Sequence, residues 1–374
     1  MTGILVSGNA HDINTQLTVP VSPSRSDYQL IGGAGEHACA IGLVGATWYK
    51  CAVPRPALKE LMRRSDRAAI RDTVLWYALI LSAGVLAYLS RGTGWAVPAF
   101  LLYGTLYAGP ADSRWHEAGH GTAFRTRWMN DLLYQLASFQ EMRRPTVWRW
   151  SHARHHTDTL VTGRDPEIQV QLPVNLLSVL IDMCGLKLGP SEMRKMVINA
   201  AGRMIEEEKT FIPETEWRKV VNESRAWVAI YATVIGVSLY SMSWLPLLFI
   251  GLPSLYGGWL YNFFGVTQHA GLPENVLDHR LNSRTVKMNP VFRFLYWNMN
   301  YHVEHHMFPM VPYHALPRLH EAIKADCPDP YPSVWAAYKE VVPAILRQRR
   351  DPTYHIRRVL PTGSRGTTPS PGGA

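Results

Sequence analysis

Histidines with helical spacing are the residues of this 374-residue sequence that are best suited to chemistry. Eight of the fifteen histidines fall into three short clusters, at His116, His120, His152, His155, His156, His302, His305 and His306. Residues spaced i, i+3 and i+4 share one face of a helix, so each cluster would present its imidazoles together. Neutral imidazole is the commonest side-chain metal ligand and suits iron, zinc and copper. The spacing predicts one metal site assembled from distant parts of the chain.

The first cluster alone also matches the zinc-protease pattern His-Glu-x-x-His, in which the glutamate is a general base. A catalytic zinc uses three protein ligands and keeps one position open. Eight histidines, or nine with His269 at the end of a later apolar run, exceed that need. Divided between two metals they give about four or five imidazoles each, which suits iron and leaves room for oxygen. An intramembrane zinc protease is therefore the weaker alternative, and Glu117 is expected to orient a ligand imidazole.

Four apolar runs predict transmembrane helices: residues 73–90 and 95–109 precede the first cluster, and residues 226–244 and 245–265 precede His269 and the third cluster. The first run would reach about 27 Å as a helix, just enough for a hydrocarbon core. A buried soluble hairpin remains the alternative for the first two runs. Paired crossings return the chain to the same side each time, so all the clusters can meet on one face of the membrane.

Charge supports that layout. The formal net charge is +9, and cations at residues 59–71 and 114–154 mark the cytoplasmic face, whereas Arg91 is the one cation in the opposite loops. Residues 57–72 are expected to form a basic amphipathic helix. The positive charge also suits an anionic lipid or an acidic protein as a partner. No nucleic-acid recognition module is visible, so the protein is not expected to bind nucleic acid.

The clusters match a known pattern. Residues 150–156 and 300–309 resemble the second and third histidine boxes of the membrane fatty acid desaturase family, and residues 116–120 resemble the first. The resemblance covers roughly residues 72–325. It implies an all-α, multi-pass membrane protein with about four transmembrane helices and a cytoplasmic helical cap that holds a diiron site.

The resemblance also implies a cofactor and its ligands. Two non-haem iron ions would use O2 and two electrons, and the implied ligands are His116, His120, His152, His155, His156, His269, His302, His305 and His306. No catalytic residue beyond these ligands is expected. Some relatives carry an asparagine one turn before the extra histidine, where this sequence has Gly265.

The implied activity is O2-dependent introduction of a C=C bond into a fatty acyl chain. Acid–base side chains cannot break an unactivated C–H bond, so the metals must carry that chemistry. Desaturation or hydroxylation of a small polar metabolite, resembling an amino acid or an inositol amine, remains an alternative on the same site. A non-catalytic metal-binding membrane protein is a further alternative that the specific spacing disfavours.

Electrons must come from another protein. The sequence has no G-x-G-x-x-G, no C-x-x-C and no His-Pro-Gly-Gly motif. An external acidic carrier, a ferredoxin with its reductase, is therefore expected. The chain is expected in the inner cell membrane with both termini cytoplasmic. Its expected parts are an N-terminal segment (1–71), the membrane diiron domain (72–325), and a C-terminal helix with a disordered tail (326–374).

A few further residues carry expectations. Asp165 and Glu167 could orient ligand histidines or cap a loop. The arginines Arg143, Arg144 and Arg149 could bind a substrate anion, although basic side chains near a membrane more often reach toward headgroups. Histidines outside the clusters are expected to lie on the surface or off the metal site, and these are His11, His37, His279, His314, His320 and His355.

Overall fold

The computed structural model describes residues 47–183 and 185–361. These residues form eighteen α-helices and no β-strand, which confirms the all-α prediction. In chain order the helices are α1 (Arg55–Leu61), α2 (Asp66–Leu89), α3 (Ala96–Ala108), α4 (Ala111–Gly119), α5 (Arg127–Gln140), α6 (Pro145–Asp158), α7 (Leu176–Met183), α8 (Leu188–Ala200), α9 (Glu206–Lys209), α10 (Glu214–Tyr240), α11 (Leu245–Phe249), α12 (Leu252–Tyr256), α13 (Trp259–His269), α14 (His279–Asn282), α15 (Pro290–Leu295), α16 (His302–Met307), α17 (Leu316–Ile323) and α18 (Val334–Gln348). His11, His37 and the predicted disordered tail lie outside the described residues.

The first two apolar runs form a helical hairpin, as predicted. Helices α2 and α3 pack together, and Trp76 Nε1 donates to the carbonyl of Leu106 at 2.7 Å. The buried positions of α2 recur every three or four residues, so one stripe faces the protein. The predicted basic helix over 57–72 is wrong in extent. Helix α1 ends at Leu61 and Ser65 caps α2, because a serine side chain at this position accepts the first free N–H groups of a new helix.

The four predicted spans differ from the observed helices. Among the described residues, one helical stretch, Arg55–Leu89, is long and apolar enough to cross a membrane, judged by length and composition. Helix α3, which forms most of the second predicted span, has only 13 residues and is about 20 Å long. Helix α10, which contains most of the third, begins earlier than predicted, at the charged residues that precede the apolar run.

The fourth run is not one helix but three, α11, α12 and α13. Gly251 has φ of 95°, a conformation that glycine adopts without steric cost, and it ends the helical path between α11 and α12. Pro253 then starts the next helix at a position where its missing N–H costs nothing. The prediction of an uninterrupted fourth span is therefore wrong.

The broken run allows close helix packing. Helix α12 lies against α3, and a Cβ atom on Gly257 would overlap the backbone carbonyl of Gly104. The two backbones can approach only because neither residue carries a side chain. This contact fixes the direction in which α13 leaves the hairpin and reaches the histidine clusters.

The largest core cluster joins the first half of the chain to the third histidine box. It includes Trp115 and Tyr134 from the segment that contains α4 and α5, and Trp297 and Met307 from the segment that contains α16. All four side chains are buried. The first and third boxes thus share one core, which holds their helices at fixed distances despite nearly two hundred residues of separation.

Candidate metal centre

Four helices supply the predicted ligands. Helix α4 carries His116 and is followed directly by His120, α13 ends at His269, and α6 and α16 carry the three-histidine clusters. The structure brings all nine histidines into two groups. The first contains His116, His120, His152, His156 and His305, and the second contains His155, His269, His302 and His306. Within each group the ligand nitrogens lie within 4.8 Å of one another, so both groups are compatible with metal binding.

The two three-histidine helices divide their side chains between the groups. On α6, His152 and His156 belong to the first group and His155 to the second. On α16 the assignment is reversed: His302 and His306 belong to the second group and His305 to the first. Each helix therefore contributes to both groups. Neither group can form without both helices in register.

The imidazole Nε2 atoms face one another at short distances. His152 Nε2 lies 3.1 Å from both His120 Nε2 and His156 Nε2. In the second group, His302 Nε2 lies 2.9 Å from His269 Nε2 and 3.0 Å from His306 Nε2. Convergence of this kind is the arrangement expected around a cation.

Burial favours the neutral form of most of these rings, whereas the Asp165 carboxylate raises the pKa of His155. Desolvation and the neighbouring imidazoles lower the pKa of His116 and of His306 well below the usual value. The neutral ring is the form that binds a metal, because its lone pair is then available.

Two carboxylates fix the orientation of rings on α6. Glu167 Oε2 accepts from His152 Nδ1 at 3.0 Å, and Asp165 Oδ2 accepts from His155 Nδ1 at 2.9 Å. Burial alone would raise the pKa of Glu167, but the adjacent His152 lowers it to about 2, so the group is a carboxylate at neutral pH. With Nδ1 donating, each Nε2 keeps its lone pair toward the group. The predicted contacts of these two residues with box histidines are present, and Asp165 also caps the loop by accepting from the backbone N–H groups of Leu160 and Glu167.

Two further orienting contacts were not predicted. His269 Nδ1 lies 2.8 Å from the carbonyl oxygen of Asn282. His306 Nδ1 lies 3.2 Å from Thr159 Oγ1, whose hydroxyl donates to the carbonyl of His155 and is left to accept from His306. The carbonyl of Asn282 carries no side-chain signal in the sequence. Thr159 lies three residues after the second box, and this closeness is the one hint that the sequence offered.

Unusual backbone geometry borders the second and third boxes. Leu160, Trp297 and Asn298 have φ of 54°, 45° and 56°. Residues other than glycine rarely adopt this region, and it persists where surrounding contacts impose it. The backbone N–H of Leu160 donates to Asp165, and the Trp297 ring stacks on Tyr313 with centroids 4.1 Å apart. These contacts hold the backbone next to the two boxes in this conformation.

Glu117 does not orient an imidazole, so that prediction is wrong. Its Oε1 accepts the backbone N–H of Tyr313 at 3.0 Å, and its Oε2 has no hydrogen-bond partner. Burial raises the pKa of Glu117 to about 7. On α4 the glutamate faces the core while the two histidines face the metal groups, since it lies one residue off their common face.

The three arginines considered for a substrate anion are paired with acids. Arg143 contacts Asp112 and Glu141 at 2.7 Å each. Arg144 contacts Glu192 and Glu208, while Arg149 reaches Asp131 at 3.6 Å on the surface. The pairing of Arg143 and Arg144 leaves neither as an uncompensated anion site.

Histidines outside the boxes occupy varied positions. His279 is buried rather than on the surface, and its ring centroid lies 5.0 Å from that of His306, so the surface prediction is wrong. His320 Nδ1 lies 2.5 Å from Glu304 Oε1 and belongs to neither metal group, as expected. It positions the third box through the glutamate at its centre.

A cavity of about 450 Å³ opens onto both groups, at His116, His152, His155, His269 and His302. More than half of the residues that line it are polar or charged. Examples from different elements are Asn175, Asp182, Lys187, Asn262 and Glu274. At Gly265 a Cβ atom would lie 3.3 Å from Gln169 Oε1, so the glutamine side chain borders the position where some relatives carry an asparagine.

Fold and site together define an all-α protein with buried imidazole groups that are compatible with metal binding. The model of the family described as "Fatty acid desaturase" matches residues 92–338, about two thirds of the sequence. The chain belongs to the fatty acid desaturase family.

Named relatives are distant. Fatty acid desaturase 3 of Bos taurus is 26% identical over 302 residues, covering 71% of this chain and 66% of the relative. The Homo sapiens protein of the same name is 26% identical over 280 residues, covering 66% of this chain and 60% of the relative. Delta(12) fatty acid dehydrogenase of Crepis alpina is 22% identical over 322 residues, covering 75% of this chain and 82% of the relative. The chain thus matches less than two thirds of the length of the two animal relatives.

Proposed function

We propose that the protein is an O2-dependent diiron oxidase that removes hydrogen from an unactivated C–H bond. The observation that carries this proposal is the convergence of nine imidazoles into two adjacent groups of five and four. One zinc ion in a protease uses three protein ligands, whereas two groups of this size suit two iron ions with positions left for oxygen. Membership of the desaturase family supports the same reading.

The tautomers of the rings test whether a metal fits. His152, His155, His269 and His306 all have a partner for Nδ1, which leaves Nε2 without a proton. The ligand nitrogens of each group lie within 4.8 Å of one another, so these four Nε2 lone pairs are available to a cation bound among them. The residues present therefore fit two metal ions, one held by each group.

The protein's own residues bind, orient and shield. When bound, the iron pair supplies the oxidising chemistry that acid–base side chains cannot supply. Asp165, Glu167, Thr159 and the carbonyl of Asn282 hold the rings in place, and the buried surroundings limit access of bulk water. A substrate bound in the cavity would lie beside both groups, and positioning of its C–H bond would be the protein's main contribution to rate.

Desaturation of a fatty acyl chain is the first candidate reaction. The named relatives are a fatty acid desaturase and a fatty acid dehydrogenase, which supports an acyl substrate. Large apolar side chains also point outward from α2, α3 and α10, as expected of helices in contact with lipid. We propose a multi-pass membrane protein whose metal groups lie on the cytoplasmic side.

Oxidation of a small polar molecule is the second candidate, and the polar groups of the cavity are compatible with it. An acyl chain is best matched by an apolar tunnel, whereas this cavity presents carboxylates, amides and two lysines beside its apolar side chains. Asp182 Oδ1 is buried without a hydrogen-bond partner, so it would gain a contact from a substrate N–H or O–H group. The same iron chemistry would then give an alkene or an alcohol.

Metal analysis and mass spectrometry together test the proposal. About two iron atoms per chain are expected in purified protein, whereas one zinc would support the protease alternative. His302→Ala and His155→Ala, one for each box helix, should lose iron and turnover, and His355→Ala outside the groups is the matched control. Retained iron and activity in both variants would refute the shared site.

Mass spectrometry of lipids and polar metabolites from cells with and without the gene identifies the substrate. A loss of two hydrogens identifies desaturation and a gain of one oxygen identifies hydroxylation. Appearance of the change in the lipid fraction supports the acyl substrate. Appearance in the polar fraction supports the second candidate.

A further inference from the structure

A line of aromatic rings connects the surface to the second metal group. The Trp48 indole stacks on His279 with ring centroids 4.2 Å apart and planes 1° from parallel. The buried His279 ring in turn lies 5.0 Å from that of His306. Trp48 itself is half-buried, so one edge is accessible among the described residues.

Packing holds the outer ring in place. Trp48 Nε1 donates to the carbonyl oxygen of Thr157 at 3.1 Å. The backbone N–H of Tyr49 donates to the carbonyl oxygen of Leu277 at 3.0 Å. The Arg280 guanidinium then covers the Tyr49 ring at 3.3 Å. Thr157 lies on the same helix as the second box. The segment that carries the indole is therefore attached to that helix and to the residues just before α14, the helix that begins at His279.

The surface around the indole is basic. Lys50 is exposed two residues away, and Arg154 lies one helical turn before Thr157. Arg154 and Arg164 share one carboxylate, that of Asp158, whose side chain is 1% exposed, so positive charge is in excess. Arg280 is paired with both Asp278 and Asp326. The region therefore has four cations, Lys50, Arg154, Arg164 and Arg280, against the carboxylates of Asp158, Asp278 and Asp326, which leaves one positive charge in excess. Complementary charge steers encounter between proteins and sets their relative orientation.

We propose that an acidic protein carrying a one-electron redox centre docks over Trp48, Lys50 and Arg154, and that electrons enter through the stacked Trp48 and His279 rings. This inference rests on the proposed function. Reduction of one O2 to two waters takes four electrons and four protons. Desaturation supplies two of each from the substrate, so the carrier supplies two electrons, one at a time, and solvent supplies two protons.

The chain offers a matched control surface. Trp335 is an exposed tryptophan on α18, and Lys339 lies above its ring at 5.9 Å. This pair has the same chemistry as Trp48 and Lys50 but stacks on no histidine in the described part of the chain. Variants at the two surfaces separate a general loss of aromatic or basic residues from a loss of the proposed path.

Binding tests the docking surface without relying on turnover. Affinity for a purified acidic [2Fe–2S] ferredoxin is measured at low and at physiological salt. Lys50→Glu with Arg154→Gln should weaken binding at least tenfold at low salt, with a smaller effect at high salt because ions screen the charges. Lys339→Glu should bind within twofold of the unmodified chain. Equal affinity of both variants would overturn the docking surface.

Reduction kinetics test the path. Trp48→Leu should bind the ferredoxin within twofold of the unmodified chain but be reduced by it at least tenfold more slowly, and Trp48→Phe should restore most of the rate because a ring still stacks on His279. Trp335→Leu should have no effect. Reduction by dithionite, a small reductant that needs no docking, should be unchanged in every variant. An unchanged ferredoxin rate in Trp48→Leu overturns the path, whereas protein that lacks iron overturns the proposed function instead.

Discussion

At the scale of single residues, the partners of the outer imidazole nitrogens decide which nitrogen faces inward. Asp165 and Glu167 leave Nε2 of two rings free for a metal, and they lie only a few residues beyond the second box. Their role could be suggested from the sequence because they are close in the chain. The carbonyl of Asn282 serves His269 from a different loop, and only the folded chain reveals that contact.

Removal of an orienting carboxylate should weaken metal binding while leaving the fold intact. Asp165→Asn and Glu167→Gln should each lower iron affinity by about 10- to 100-fold, because the ring then loses a charged acceptor and its fixed tautomer. The measurement is iron retained after dialysis against graded concentrations of a chelator. Glu321→Gln, on an exposed residue, serves as the control. Equal retention in all three variants would contradict the proposed roles.

Glu117→Gln separates the oxidase from a zinc protease. Gln retains the acceptor oxygen for Tyr313 N–H, so iron content and oxidation should persist, whereas a protease would lose its general base. Any loss of oxidation above tenfold would contradict the core role of Glu117.

The same variant should change how stability depends on pH. Burial raises the pKa of Glu117 from 4.5 to about 7, so folding takes up a proton between these values and the unmodified protein loses stability as pH rises through them. Glutamine lacks this titration. The melting temperature of Glu117→Gln minus that of the unmodified protein should therefore increase from pH 5 to pH 8. A constant difference across this range would show that the carboxyl group is not shifted.

At the scale of helices, local spacing was sufficient to predict the boxes but not the fourth span. Residues 245–265 are apolar throughout, and hydropathy does not distinguish one helix from three. The difference comes from Gly251, which adopts a positive φ, and from the contact of Gly257 with Gly104. The glycines and prolines within this apolar run therefore indicate breaks in the helix, which an average hydropathy does not show.

Gly257→Ala should be strongly destabilising. The added methyl group would overlap the Gly104 carbonyl, a backbone atom that cannot move without shifting α3. A loss of roughly 1–3 kcal/mol is expected for overpacking of this kind. The thermal unfolding of detergent-solubilised protein is the measurement. Gly236→Ala, where nothing lies within 4 Å, should be neutral or slightly stabilising because alanine favours a helix.

At the scale of the whole molecule, the all-α architecture and the meeting of the boxes follow from sequence, whereas membrane topology remains a proposal. One stretch satisfies the length and composition expected of a span in the described residues, although four were predicted. Helices α3 and α11, with 13 and 5 residues, are too short to meet that length. The exposed apolar faces indicate where lipid would lie.

Cysteine labelling of two matched glycines tests the orientation. Gly92 lies in the turn between α2 and α3, and Gly163 lies beyond the second box; both have φ of 75° and open space around Cβ. A membrane-impermeant thiol reagent applied to intact cells should label Gly92→Cys and leave Gly163→Cys unlabelled until the cells are permeabilised. The unsubstituted chain controls for natural cysteines. Labelling of both sites from outside would contradict the proposed layout.

The reversed division of histidines on α6 and α16 has a consequence for assembly. Because each helix serves both groups, loss of one ion would free rings on helices that the other ion still needs. Loading should therefore be concerted. A preparation that contains half its full iron complement should consist mainly of complete and empty chains, with few chains that hold a single atom.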